Sequence, residues 1–180
     1  FHNYFFPFTE GFAYAEPNME SVREHLTEHT CAVMIEFIQG EGGVLPLDPQ
    51  FVTELAALCK EKNLLLLADE VQTGVGRTGT FYCCEQYGVR PDVLTSAKGL
   101  GGGLPIGACL CTKELGDVMG RSAHGSTFGA NPVVCAGALE VIRRVSQPAF
   151  LGEVKEKGAY LRERLEKIKG VAQVRGMGMM

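Results

Sequence analysis

The chain has 180 residues, an apolar fraction of 46% and a formal net charge of −4. That length allows one domain with a sizeable core, and the scattered basic residues form no nucleic-acid-binding patch. No apolar stretch approaches the roughly 20 residues that span a membrane, and the opening residues do not resemble a signal peptide. We therefore expect a protein that binds neither nucleic acid nor membrane.

The first half of the chain predicts a strand–helix–strand unit. Residues 31–37 form an apolar run that is typical of a buried strand. Asp48 and Pro49 then begin a helix with one apolar face, which ends at Asn63. A second apolar run, residues 64–68, follows directly. Strands joined by such a helix pair in parallel, so this unit predicts an α/β fold.

The second half of the chain is predicted to extend this sheet and then to become helical. Strands are expected at 93–97 and 106–112, and helices at 113–119, 132–145 and 149–168. After the last helix, residues 171–174 predict the start of a new strand or turn. Both ends of the chain suggest a piece of a longer polypeptide.

Seven cysteines are distributed along the chain, and no two of them form a C-x-x-C pair. This spacing does not fit a zinc site and makes a redox or metal protein the weakest interpretation. Most of the cysteines lie in apolar stretches, so we expect small core residues with reduced thiols. Reduced thiols are typical of a cytoplasmic protein, and we predict no metal ion.

Two of the predicted strands end in a reactive polar group. Asp69 follows the run 64–68, and Lys98 follows the run 93–97. The carboxyl ends of parallel strands line the crevice where such sheets bind ligands, so a carboxylate and an amine are expected to converge there. The two could form a structural salt bridge. They also suit pyridoxal phosphate, whose aldehyde takes a lysine and whose ring nitrogen is held by an acid.

Other polar residues lie near predicted strand ends or turns. Glu36 interrupts an apolar strand, where it would form either a salt bridge or part of a site. Glu41 lies in a glycine-rich loop and is either solvated or functional. Ser126 and Thr127 lie in a turn that could bind an anion or cap a helix.

Two glycine-rich stretches resemble nucleotide-binding motifs but lack the expected context. Residues 74–79 match G-x-G-x-x-G, yet the next strand begins too soon for the crossover helix of a Rossmann unit. The glycines at 101–103 follow Lys98, whereas a phosphate-binding P-loop has its glycines before the lysine. We therefore predict no nucleotide site at either stretch.

Four segments of the chain closely resemble the class III pyridoxal-phosphate aminotransferases, and within them the acetylornithine and ornithine aminotransferases. They are IQGEGGV at 38–44, DEVQTGVGRTG at 69–79, PDVLTSAKGLGGG at 91–103 and HGSTFGANP at 124–132. Their order and spacing extend the resemblance over nearly the whole chain.

This resemblance implies the three-layer α/β/α large domain of the fold-type I pyridoxal-phosphate transferases, with a mainly parallel sheet and a homodimeric assembly. Residues 1–170 would be part of that domain, and residues 171–180 would begin a C-terminal small domain. The family's phosphate loop and ring-stacking aromatic residue would precede this chain, and its carboxylate-binding arginine would follow Met180. We therefore predict weak cofactor binding and little activity for these 180 residues alone.

The resemblance also assigns cofactor-binding roles. Lys98 would form the Schiff base with pyridoxal phosphate and carry the proton between substrate and cofactor. Asp69 would hold the pyridinium nitrogen, Val71 would pack on one face of the ring, and Gln72 would contact the ring hydroxyl. These assignments make Lys98 and Asp69 the predicted catalytic residues.

Residues elsewhere in the motifs would complete the site. Ser126 and Thr127 would bind the cofactor phosphate, in this family across the subunit interface. Glu41 matches the acid that pairs with a substrate-binding arginine, and Glu36 matches a nearby acid. The family usually has proline where this chain has Phe37, so the backbone after Glu36 is expected to differ.

The resemblance implies an aminotransferase, or a fragment of one. It would move an amino group from an acetylornithine- or ornithine-like donor to 2-oxoglutarate, a step of arginine biosynthesis. Two alternatives remain open at this stage. One is another class III enzyme acting on 4-aminobutyrate or another omega-amine, or an aminomutase. The other is a truncated domain without catalytic activity.

Overall fold

The computed structural model describes residues 5–180, which divide into two compact units. The first unit extends to Thr30 and contains helix α1, Met19–His25. The Asn18 side chain accepts a hydrogen bond from the Ser21 amide and so caps this helix at its N-terminus. The second unit, Cys31–Met180, contains every strand of the described chain. The predicted domain boundary at residue 170 stays a prediction.

The second unit is built on a four-stranded sheet in the order β1-β4-β5-β6. Strands β1, β4 and β5 are parallel, and β6 is antiparallel to β5. The strands are β1 Ala32–Ile35, β4 Leu65–Asp69, β5 Val93–Ser96 and β6 Ala108–Cys111. A small antiparallel pair, β2 Ile38–Gln39 and β3 Leu45–Pro46, lies between β1 and the next helix. The predicted α/β fold with a mainly parallel sheet is confirmed.

Helix α2, Pro49–Lys62, connects the parallel strands β1 and β4 as the sequence predicts. Asp48 accepts hydrogen bonds from two amides of its first turn, at 2.8 and 3.0 Å. Asn63 ends the helix in the left-handed conformation that a C-cap favours. The remaining helices are α3 Cys84–Tyr87, α4 Pro132–Val145 and α5 Pro148–Glu166.

The two faces of the sheet differ in burial. Leu66, Ala68, Leu94 and Ser96 are all at most 8% exposed, because alternate residues of β4 and β5 point into the core. On the opposite face Met34 is 56% exposed. The hydrophobic core of this unit therefore lies on one side of the sheet.

Three predicted elements differ from the structure. The expected strand at 106–112 is limited to β6, and the expected helix at 113–119 is a single 3₁₀ turn, Lys113–Leu115. No side chain caps that turn, and Gly116 follows it directly, so nothing stabilises a longer helix. Residues 171–174 form no strand, and Arg162 instead donates a hydrogen bond to the Val174 carbonyl.

The expectation that most cysteines are core residues is wrong. Cys59, Cys83 and Cys84 are buried, whereas Cys31, Cys109, Cys111 and Cys135 are exposed. The cause is their position: β6 is an edge strand whose four residues are all exposed, and Cys135 lies outside the buried stripe of α4. All seven cysteines are free thiols.

Within residues 5–180, no helix combines the length and apolar character needed to cross a membrane. The same residues contain no cluster of three or more His, Cys, Asp or Glu side chains suited to a metal ion.

Candidate active site

The two predicted catalytic residues lie at the same edge of the sheet. Asp69 ends β4 and pairs in register with Thr95 on the neighbouring parallel strand β5. Lys98 follows two residues after the end of β5. Because parallel strands end at one edge, the backbone places the carboxylate and the amine at the same edge of the sheet, and their convergence on one crevice stays a prediction.

The Asp69 carboxylate is held by two hydrogen bonds. Its Oδ1 atom accepts from the Val71 amide at 2.9 Å and from the Thr95 hydroxyl at 3.0 Å. Two donors fix the orientation of the carboxylate. Thr95 is a site residue that sequence reasoning missed, because its contact depends on the register between β4 and β5.

Lys98 has an unusual backbone and a free amine. Its φ angle is +43°, in the left-handed region that costs a non-glycine residue about 1 kcal/mol. The side chain is exposed, and it forms no ion pair with any residue of the described chain. The structural salt bridge with Asp69, one of the two alternatives, is therefore not formed. A strained backbone with an unpaired amine is typical of a functional position.

A cavity of about 290 Å³ lies beside Lys98. Its lining includes Lys98 itself together with Val71, Gln72, Val75 and Gly99. The other lining residues are Gly74, Arg77, Met179 and Met180. Asp69 does not line the cavity. Its Oδ1 atom accepts a hydrogen bond from the backbone amide of Val71, and Val71 does line the cavity.

One side of this cavity is formed by residues 71–79, the cavity-wall loop. Within it, Val75 has a φ of +53°, and the Gly74 amide donates to the Glu70 carbonyl at 2.9 Å. Gln72 lies against Gly40, where a Cβ atom would be only 2.4 Å from the Gln72 side-chain oxygen. A side chain at position 40 would therefore displace the Gln72 side chain. The loop opens no long helix, which agrees with the rejection of a Rossmann motif.

Glu70 is the most buried charged residue in this region, with 0% exposure. Its carboxylate accepts hydrogen bonds from the Thr73 hydroxyl at 2.5 Å and from the amides of Cys83 and Cys84 at 2.9 and 2.7 Å. Burial raises the pKa of the Glu70 carboxyl, and these hydrogen bonds offset part of that effect. The sequence contains a signal for this burial. Side chains along β4 alternate between the two faces of the sheet, so the Glu70 side chain points to the face opposite Asp69.

The other predicted site residues lie outside this cavity lining. Ser126 and Thr127 are exposed in a loop, where the Ser126 hydroxyl accepts only from the Gly129 amide, at 2.9 Å. Glu41 is exposed in the turn after β2, and Glu36 is half-buried at the end of β1. Their predicted roles stay predictions.

The profile of the family described as "Aminotransferase class-III" matches residues 7–180. The chain belongs to the class III aminotransferase family. Pyridoxal phosphate is the cofactor that this family implies. The donor set fits it: an unpaired amine and the apolar residues Val71 and Val75 line the cavity, and a fixed carboxylate lies at the same sheet edge.

Relatives within the family support the same assignment. The chain is 47% identical to an acetylornithine aminotransferase of Listeria monocytogenes, over 99% of this chain and 48% of the relative. It is 47% identical to a succinylornithine transaminase of Photorhabdus laumondii, over 91% of this chain and 42% of the relative. The ornithine aminotransferase of Toxoplasma gondii superimposes with a TM-score of 0.90 at 35% identity, covering 98% of this chain and 44% of that one. The chain thus spans about half the length of these relatives, and the fold-type I architecture is confirmed.

Proposed function

We propose that the protein transfers an amino group from an acetylornithine- or ornithine-like donor to 2-oxoglutarate, with pyridoxal phosphate as cofactor. The observation that carries this proposal is the unpaired Lys98 amine on a strained backbone beside the cavity, next to the edge where Asp69 is fixed. The names of the related proteins support the choice of donor, since two are acetylornithine and succinylornithine enzymes.

Lys98 is the residue that would bind the cofactor aldehyde covalently. An amine without a carboxylate partner is available as a nucleophile, whereas an ion-paired amine must first lose its partner. With the cofactor and substrate bound, the Lys98 amine would move a proton to and from the substrate carbon that carries the amino group. The position of Lys98 on a tight 3₁₀ turn limits the directions that its side chain can take.

Asp69, Val71 and Gln72 would hold the cofactor ring. The Asp69 carboxylate would hold the ring nitrogen and favour its protonated form. When bound, the protonated ring supplies an electron sink for the carbon that loses its proton. Val71 provides an apolar surface, and the Gln72 amide is held against Gly40, ready to donate to the ring hydroxyl.

The remaining predicted residues would act on the phosphate and the substrate. Ser126 and Thr127 lie on a fully exposed loop, which supports a phosphate site completed in the partner subunit of a homodimer. Glu36 and Glu41 are proposed to face the substrate. A cytoplasmic location is also proposed, and the seven free thiols support it.

Borohydride reduction in the presence of pyridoxal phosphate tests this function directly. Reduction fixes the bound cofactor to its lysine, and peptide mapping then identifies the residue. We expect the label on Lys98, and we expect Lys98→Ala to lower labelling and transaminase activity of the intact protein by about 10³-fold or more. Lys113→Ala, which removes an exposed lysine on another turn, is the matched control. Labelling spread evenly over surface lysines would refute the proposal.

A second donor class is favoured by one structural neighbour. An omega-transaminase of Thermomicrobium roseum superimposes with a TM-score of 0.74 at 37% identity, covering 82% of this chain and 35% of that one. Screening acetylornithine, ornithine and simple omega-amines as donors for the intact protein separates the two possibilities. We expect acetylornithine or ornithine to give the highest kcat/KM.

A further inference from the structure

We propose that Glu70 is a positioning residue that holds the cavity-wall loop in the shape that lines the cavity. This inference rests on the proposed function only for its link to the cofactor. The geometry of the loop supports it independently.

The Glu70 carboxylate joins the two ends of the cavity-wall loop. On one side it accepts from the Thr73 hydroxyl within the loop, at 2.5 Å. On the other side it accepts from the amides of Cys83 and Cys84, which lie beyond the end of the loop, at 2.9 and 2.7 Å. One side chain therefore connects the start of the loop to the segment that follows it. Cys83 and Cys84 lie 13 and 14 residues after Glu70 in the sequence.

The Glu70 backbone reinforces this connection. Its amide donates to the Thr95 carbonyl at 3.0 Å, which continues the β4–β5 pairing, and its carbonyl accepts from the Gly74 amide at 2.9 Å. A Cβ atom at Gly74 would lie 2.7 Å from the Glu70 carbonyl oxygen, so the turn between them has no spare room. Every hydrogen-bonding group of Glu70 is thus used to fix the loop to the sheet.

The chemistry requires a carboxylate at this position. The groups that face the side chain are all donors: the amides of Cys83 and Cys84, the Thr73 hydroxyl and the Cys84 thiol. A glutamine would direct its NH₂ group at a donor and leave at least one buried N–H or O–H without a partner. Glu70 has 0% exposure, and no cation pairs with it in the described chain, so hydrogen bonds alone offset part of the cost of its burial.

Holding the loop in this shape affects the residues on either side of Glu70. Asp69 depends on the Val71 amide for one of its two hydrogen bonds, and Val71 and Gln72 line the cavity. If the turn opens, the Val71 amide moves away from Asp69, and the Gln72 side chain loses its place against Gly40. Glu70 would therefore act on the cofactor through Asp69, Val71 and Gln72, without touching it.

The test compares Glu70→Gln with Leu58→Ala in the intact protein. Leu58 is 2% exposed on helix α2, so Leu58→Ala destabilises the core without removing a hydrogen-bond partner of Glu70. Amide hydrogen exchange without cofactor and titration with pyridoxal phosphate are measured on both variants. We expect Glu70→Gln to speed exchange of the loop amides at least tenfold and to weaken cofactor binding at least tenfold. Leu58→Ala should speed exchange in α2 and weaken binding less than threefold.

Two further variants keep the test decisive. Glu70→Asp preserves the charge with a shorter side chain, so we expect partial rescue of loop protection relative to Glu70→Gln. If Glu70→Gln does not fold, Thr73→Val removes a single donor and should speed loop exchange about threefold.

The outcomes separate this inference from the proposed function. Unchanged loop exchange in Glu70→Gln, or equal loss of cofactor affinity in Leu58→Ala, would overturn the positioning role. If the intact protein fails to bind pyridoxal phosphate while loop exchange still depends on Glu70, the proposed function fails and the positioning of the loop stands.

Discussion

The cavity-wall loop and the loop at 120–130 both carry residues predicted to hold the same cofactor, but they are stabilised in different ways. In the cavity-wall loop, Thr73 and Thr78 are 1% exposed, and the neighbouring Glu70 carboxylate binds groups up to 14 residues away. In the loop at 120–130 every residue is exposed, and Phe128 is 83% exposed.

The hydrogen bonds of the loop at 120–130 are all local. The Ala123 amide donates to the Gly120 carbonyl, and the Gly129 amide donates to the Ser126 hydroxyl, each across three residues. Bonds of this kind compete with water and contribute only about 1 kcal/mol each. The chain therefore preorganises the ring-binding half of the proposed site by its own packing. The loop proposed to bind the phosphate has no comparable packing.

Thiol labelling gives the largest expected contrast between buried and exposed segments. Burial and the nearby Glu70 raise the pKa of Cys83 and of Cys84 to about 12, so about one thiol in 10⁴ is ionised at pH 8. We expect the four exposed cysteines to react quickly with a disulfide reagent and the three buried ones to react only after unfolding. Mass spectrometry of labelled peptides identifies the sites. Fast labelling at Cys83 or Cys84 would show that the cavity-wall loop opens readily.

Limited proteolysis compares the two loops directly. Arg77 lies in the cavity-wall loop and Arg121 in the loop at 120–130, and both side chains are exposed. Proteases cut where the backbone opens locally, so we expect trypsin to cleave after Arg121 at least about tenfold faster than after Arg77. Arg121→Gln is the control and should remove only the early cut. Equal cleavage rates at the two arginines would contradict the comparison.

The pH dependence of stability gives the smallest effect. Because burial raises the pKa of Glu70 in the folded chain, the folded state binds more protons than the unfolded state above the ordinary value of 4.5. The contribution of Glu70 to the free energy of unfolding is therefore full below that value. It is lost as the pH rises through the folded pKa.

Urea unfolding at several pH values measures this trend. Glu70→Gln lowers stability by about 1–3 kcal/mol through its unsatisfied donors, and it should abolish the part of the pH slope that Glu70 causes. Glu85→Gln, at an exposed position, is the control and should keep the slope. An identical slope in wild type and Glu70→Gln would refute the assignment.

The sequence correctly predicted the helix and strands whose boundaries depend on neighbouring residues. The cap at Asp48, the left-handed end at Asn63 and the apolar run before Asp69 each lie within a few residues of the structure they specify. Those signals predicted helix α2 and the parallel unit correctly. The helix expected at 113–119 failed because its pattern had neither a cap nor a packing surface to extend it.

The exposure of individual residues could not be predicted in the same way. An apolar neighbourhood in the sequence suggested that cysteines such as Cys109 and Cys111 are core residues. Both lie on an edge strand, and edge position is a property of the whole sheet.

The sequence by itself determined that an acid and an amine, Asp69 and Lys98, follow two buried strands. An apolar run and the polar residue that follows it can be identified from a short stretch of sequence. Only the tertiary structure decided that Thr95 donates to Asp69, that Lys98 has no ionic partner among residues 5–180, and that Glu70 closes the cavity-wall loop. The physical reason is that register, burial and ion pairing depend on groups brought together from distant parts of the chain.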